Sequence, residues 1–186
     1  FIESCKKISY LFPRAHAVAY VMMAFRIAWF KVYHPLAFYA AYFSIRAKAF
    51  DLRIMTGDLN TQLKEFNRIK ALDRGASPKE KDLMSALEVS MEMYQRGYRF
   101  INVDIQHSGA RRFSIKDGAL LPPFLAIDSL GETVADAIVE ERETKPFTSL
   151  KDLQRRCKVS ATIIETMKEL KCCGDLPEDE QMSLFG

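Results

Sequence analysis

Residues 122–131 read Pro122-Pro123-Phe124-Leu125-Ala126-Ile127-Asp128-Ser129-Leu130-Gly131. The paired prolines punctuate the chain, Phe124 to Ile127 suits one helical turn, and Asp128 to Gly131 makes a tight connection. Outward from it the pattern is helical. Glu132 to about Glu143 places Val134, Ala135, Ile138 and Val139 on one face. Pro146 interrupts, Ser149 with Asp152 three residues later starts another helix, and Ser160 caps a third that carries Ile163, Ile164, Met167 and Leu170 and stops at Gly174. The last third is thus helix–turn–helix, twice.

On the N-terminal side the period first drops to two. Phe100-Ile101-Asn102-Val103-Asp104-Ile105 alternates as a half-buried strand does, and Arg112-Phe113-Ser114-Ile115 and Ala119 to Leu121 flank the turn signal Asp117-Gly118. Before that the chain reads as helices. Pro13 suits a first helical position, with a helix to about Tyr33 whose His16, Tyr20, Met23 and Ile27 share a face. His34-Pro35 breaks it, and an aromatic helix runs from Leu36 to about Phe50. Thr56-Gly57-Asp58 opens an amphipathic helix carrying Leu59, Leu63, Phe66 and Ile69 that ends at Gly75. Ser77-Pro78-Lys79-Glu80 is a capping box, followed by a stripe of Leu83, Leu87, Met91 and Tyr94 and a stop at Gly97. The expected fold is mainly α with a small β insert: a helical segment over 1–98, a β-hairpin connector over 99–121, a tandem helical module over 122–176 and a flexible tail over 177–186.

Composition narrows the class. A hydrophobic share of 48% excludes wholesale disorder, and a formal charge of +3 permits nucleic acid as a partner without demanding it. Cys5, Cys157, Cys172 and Cys173 form no C-x-x-C pair, so reduced, mostly buried thiols are expected. No Met opens the chain and no signal peptide is readable, so a piece of a longer polypeptide is expected. The apolar run from Ala15 to Phe43 is interrupted by Arg26, Lys31, His34 and Pro35, and reads as buried helix, not as a membrane span. There is no P-loop, G-x-G-x-x-G, G-x-S-x-G or H-E-x-x-H. Asp104 has no acidic partner at i+2 and reads as a surface strand residue, and His107 and Cys5 have no visible partners.

Three constellations remain. A helix N-terminus favours a phosphate, and Lys6, Lys7, Arg14 and His16 gather cations at one, with Tyr10, Phe12 and Tyr20 as stacking surfaces. The same residues also suit a core helix with a hydrogen-bonded His and snorkelling cations. The turn Ser129-Leu130-Gly131 suits backbone N–H contacts to one duplex phosphate, with Arg142, Lys145, Lys151, Arg155, Arg156 and Lys158 adding contacts; a plain helical pair with a solvated charged face reads equally from these residues. The end of the chain, Gln181-Met182-Ser183-Leu184-Phe185, offers an amide and two apolar side chains to a pocket.

Taken in order, these segments resemble the C-terminal end of the bacterial replicative DNA polymerase III alpha subunit of the PolC type. The resemblance is carried by Ile8-Ser9-Tyr10-Leu11-Phe12-Pro13-Arg14-Ala15-His16-Ala17, by Arg26-Ile27-Ala28-Trp29-Phe30-Lys31-Val32 with His34-Pro35, by Tyr39 to Phe43, by Leu121-Pro122-Pro123-Phe124, by Asp152-Leu153-Gln154-Arg155-Arg156 and by the Gln181–Phe185 tail. It implies a fingers segment with Tyr10, Arg14, His16 and Tyr20 facing an incoming deoxynucleotide. It implies a helix–hairpin–helix module whose Ser129, Leu130, Gly131 and Lys158 meet duplex DNA, and a tail whose Gln181, Leu184 and Phe185 dock on the sliding clamp. The catalytic carboxylates and their Mg2+ belong to a palm outside this chain, so no catalytic or metal residue is expected here and the fragment alone is expected to be inactive. The implied partners are primer–template DNA, dNTP, the clamp and other replisome subunits in the cytoplasm, with a 3'-5' exonuclease elsewhere in the full-length protein. Ser129 stands where the family commonly has glycine, Arg14 where it commonly has Lys, and the second turn, Lys158-Val159-Ser160, has no glycine. The alternative is an independent helix–hairpin–helix module of a repair or recombination protein.

Overall fold

The computed structural model describes Glu3 and residues 13–179. Helix α1 (Arg14–Tyr33) ends at His34, whose φ of −135° and ψ of 57° break the helical course. Pro35, which lacks an N–H, takes the first position of α2 (Pro35–Ala41). This helix does not continue to Phe50: it relaxes into one π turn (Tyr42–Arg46) and Ala47 is extended. A short helix absent from the sequence reading, α3 (Leu52–Met55), follows with Asp51 as its cap.

Asp58 caps α4 (Leu59–Leu72) by accepting from the Thr61 amide at 2.8 Å. Its buried residues are Gln62 and Ile69, whereas Leu63 is exposed. Polar pairing reverses the hydropathy order here: the buried Gln62 donates to the Met55 carbonyl (3.1 Å) and accepts from the Ser90 hydroxyl (2.6 Å). Helix α5 (Pro78–Gln95) begins with both halves of the Ser77–Glu80 capping box, and Gly97 at φ +86° turns the chain away. The stretch 100–105 is not a regular strand. Phe100 forms an isolated bridge with Leu120, but the Ile105 amide donates to the Cys172 carbonyl at 3.0 Å, so the extended chain serves two separate neighbours. The hairpin is as expected: β1 (Ser114–Lys116) pairs antiparallel with β2 (Ala119–Leu121) across Asp117 and Gly118, both at positive φ.

A 3-10 turn (Phe124–Ala126) leads into α6 (Glu132–Thr144), α7 (Leu150–Cys157) and α8 (Ala161–Glu169). Lys171, at φ +55°, leaves α8 before Gly174 is reached. Two buried clusters result. One joins Tyr39, Phe43, Met55, Ile69, Leu87, Met93, Phe100 and Leu120. The other joins Phe124, Ile127, Leu130, Ile138, Leu153, Val159, Ile164 and Met167. Cys157, Cys172 and Cys173 are free and buried as expected, and burial pushes the Cys172 thiol up to about 12.

Helix α1 departs most from expectation, since none of its residues is buried. Met23, Phe25, Ile27, Trp29 and Phe30 are each about half exposed or more. Its foot is fixed: Lys31 Nζ lies 2.9 Å from Glu92, which also accepts from the buried Tyr39 hydroxyl at 2.8 Å. By length and composition α1 passes for a membrane-crossing helix. Arg26 within it and the Lys31–Glu92 pair at its end are poor companions for hydrocarbon.

The start of α7 is held by charge. Ser149, fully buried, caps the Asp152 amide, and the nearly buried Asp152 accepts from Arg155 (2.8 Å), Arg156 (3.2 Å) and the Thr148 amide (3.3 Å). Burial opposes its ionisation, but these donors outweigh burial and hold its carboxyl below the usual range. A depressed folded-state pKa gives stability that is present above the unfolded value, near 4, and lost as pH falls through the folded one. Asp152→Asn is expected to cost about 1–3 kcal/mol at pH 7. In melts taken between about pH 6 and pH 2 the gap to the parent chain narrows on acidification.

Candidate nucleic-acid interface

The turn between the Phe124–Ala126 segment and α6 is built around one buried side chain. Leu130 sits in the core at 4% exposure, and its amide donates to the Ile127 carbonyl at 3.2 Å. Both side chain and amide of this residue, expected to meet DNA, are thus engaged within the fold. Burying Leu130 turns its neighbours outward. Asp128, Ser129 and Gly131 are exposed. Ser129 adopts φ +65°, a left-handed conformation that costs an L-residue about 1–2 kcal/mol.

Gly131 is the N-cap of α6, at φ −77° and ψ 159°, and no side chain caps this helix. Among the described residues, its two chain neighbours aside, nothing lies within 4 Å of where a Cβ on Gly131 would stand. Neither backbone conformation nor packing therefore requires glycine at this position.

The second turn repeats the first residue for residue. Lys158 takes the left-handed place at φ 54°, Val159 is buried at 2% exposure, and Ser160 is the N-cap at φ −69° and ψ 152°. One difference separates them: the Ser160 hydroxyl accepts from the Ile163 amide at 3.3 Å, so the second helix start is capped from within. The absent glycine thus did not hide a different shape.

The surrounding cations divide into two groups. Arg142 is half-buried and donates to the carbonyls of Ile105 (2.9 Å) and Ser108 (3.0 Å). Arg156 donates to Glu141 at 3.0 Å, bonds Asp152 and lies over the Phe147 ring. Both are structural, contrary to the sequence reading, and Lys151 pairs with Asp179. Lys145, Arg155 and Lys158 stand exposed. A cation that sequence reasoning passed over, Arg111, bridges Glu132 and Asp136 on α6, with Nε donating to Asp136 at 3.1 Å and the guanidinium holding the Asp136 carboxyl below its ordinary range.

At the other end of the chain, Arg14, His16 and Tyr20 lie exposed on the first turns of α1, with the His16 and Tyr20 rings edge-on at 4.4 Å. Pro13 is the N-cap and not the first helical residue, and the first turn has neither a capping side chain nor an acid. Tyr10 and the tail residues Gln181, Leu184 and Phe185 lie outside the described residues. Asp104 and His107 do have partners: the His107 Nδ1 is 2.6 Å from Asp104 and the Lys116 Nζ 2.8 Å from it. Their i, i+3 spacing was the available signal. Among the described residues no three His, Cys, Asp or Glu side chains gather as a metal set.

Residues 97–182 match the family model described as "Helix-hairpin-helix motif". Over its full length the chain is 50% identical to the DNA polymerase III PolC-type of Caldanaerobacter subterraneus subsp. tengcongensis and 47% identical to that of Streptococcus pyogenes serotype M12. The chain is similar, from end to end, to one part of the PolC-type DNA polymerase III proteins. It spans 13% of the length of these curated relatives. The family match spans the β connector and both turns.

Relief of the two left-handed residues is the direct check on this geometry. Ser129→Gly and Lys158→Gly are each expected to raise stability by about 1 kcal/mol in urea unfolding.

Proposed function

We propose that this chain is the duplex-holding segment of a PolC-type replicative DNA polymerase, gripping the sugar–phosphate backbone through the turn at Gly131. The observation that carries the reading is the unexplained glycine. Gly131 heads a helix with no capping side chain, in space that none of the described residues fills, whereas the equivalent Ser160 caps its own helix. A helix N-terminus stripped of cap and Cβ suits close approach of a phosphate oxygen. Lys158 and Arg155 then add salt-sensitive, sequence-independent contacts. The family match over residues 97–182 supports the module.

The rest of the proposal follows the PolC relationship. Polymerisation, with primer–template DNA and dNTP as substrates, belongs to the full-length protein, in the cytoplasm with other replisome subunits and with Mg2+ held by palm carboxylates; a 3'-5' exonuclease accompanies it. Residues 1–98 act as part of the fingers, with Tyr10, Arg14, His16 and Tyr20 toward the nucleotide. The uncapped, acid-free first turn of α1 supports an anion there. Gln181, Leu184 and Phe185 act as the clamp-docking tail, where tethering makes a modest contact effective. A helix apolar on all sides wants cover on all sides, and the remaining polymerase chain is the proposed cover for α1.

Gly131→Ser separates folding from binding. It gives α6 the cap that α8 already has, so stability is expected to rise by about 0.5–1 kcal/mol. Duplex affinity, read by fluorescence anisotropy at about 50 mM salt, is expected to fall roughly tenfold or more, since the added hydroxyl takes an amide that served a phosphate. Unchanged affinity removes this turn from the interface.

A further inference from the structure

We propose that Arg111 is a positioning residue for the phosphate site at Gly131, acting by cancelling the acids that surround it. The inference rests on the reading of that turn as a phosphate grip. Three acids crowd the helix start: Asp128 in the turn, Glu132 as the first residue of α6, and Asp136 one helical turn on. An acid in a first helical turn favours the helix dipole, but it repels an approaching phosphate. Arg111 meets this conflict with one side chain. Its Nη1 bonds Glu132, and its Nε and Nη2 fork onto Asp136.

The placement is fixed by backbone and not by chance on a mobile loop. The Phe124 amide donates to the Gly109 carbonyl at 2.9 Å and the Leu125 amide to the Ala110 carbonyl at 3.0 Å, tying the residues just before Arg111 to the segment that enters the turn. On the other side the Phe113 amide donates to the Ser44 hydroxyl at 2.9 Å. Phe113 is further lodged against Phe43, Phe50 and Phe100, with ring centroids 5.0 to 5.9 Å apart. The connector's architecture thus delivers a guanidinium to the start of α6. All three partners are substantially exposed, so the ion pairs themselves add little to stability. An arrangement this well supported and this weakly stabilising is accounted for by the charge it presents at the turn.

The test uses the full 186-residue chain and a duplex of about 20 base pairs, with anisotropy titrations at about 50 and 200 mM salt. Arg111→Gln is expected to weaken binding roughly tenfold at the lower salt, by exposing two negative charges beside the phosphate. Adding Glu132→Gln and Asp136→Asn to Arg111→Gln is expected to restore affinity to within about threefold of the parent. Glu132→Gln with Asp136→Asn in the presence of Arg111 is expected to tighten binding, and this variant also serves where Arg111→Gln does not fold. A triple variant as weak as Arg111→Gln alone means Arg111 touches DNA itself and overturns the inference, as does an acid-free variant with unaltered affinity. If Gly131→Ser binds as the parent does, the grip reading falls and the inference with it. If Gly131→Ser is weak but the Arg111 series is flat, the inference alone falls.

Discussion

Each of the two turns, the one that enters α6 and the one that enters α8, draws one side chain into the core, and that constraint sets the geometry of both. Leu130 and Val159 occupy the position, each nearly sealed from solvent. With the middle residue drawn inward, the residue before it is thrown into left-handed backbone and the residue after it becomes an extended N-cap. Ser129 and Lys158 accept unfavourable φ values because the buried aliphatic next to each fixes the chain on either side. The exposed backbone at the helix start is thus a by-product of hydrophobic packing, and what differs between the turns is only what the third residue does with it. Serine closes the helix start upon itself; glycine leaves it open.

The same economy governs the charges. Arg142 and Arg156 look alike in sequence to Lys145, Arg155 and Lys158, yet the first two satisfy carbonyls and carboxylates inside the fold. Arg142, half-buried, has its ordinary basicity lowered by loss of water, but it still holds together the 105–108 loop and α6. A basic run along a helical module therefore overstates the charge available to a polyanion. The exposed cations near the turns are Lys158 and Arg155, the latter paired with Asp152, while the acids at the start of α6 are answered by Arg111 from another part of the chain.

Much of the fold was legible because local chemistry determined it. The Ser77–Glu80 capping box, the Ser149 and Ser160 caps and the Asp117-Gly118 turn need only a few adjacent residues, and each stands where the sequence places it. What was not legible depended on partners far along the chain. Phe100 to Ile105 alternates like a strand but is divided between Leu120 and Cys172. Gln62 displaced Leu63 from the core because Met55 and Ser90 satisfied its amide, which hydropathy does not register. Of the candidate site, the turn was readable and the roles of its residues less so: Leu130 proved to be an anchor, and Arg111 carried no local mark, since its carboxylates lie 21 and 25 residues downstream.

Helix α1 poses the opposite packing problem. A helix with apolar residues on every side has no face to turn to water, and among the described residues its foot is held by Lys31 and Glu92. The Coulomb attraction of that half-exposed pair is modest, whereas leaving Phe25, Trp29, Phe30 and their neighbours in water forgoes about 25 cal/mol for each Å² that burial would remove. Burial of that surface is therefore the larger of the two terms that bear on how the first turn, with Arg14 and His16, is placed. The helix–hairpin–helix module, by contrast, closes its own core around Leu130, Leu153, Val159 and Met167. The two halves of the chain thus differ in how they bury apolar surface: the turn module closes a core of its own, whereas no residue of α1 is buried.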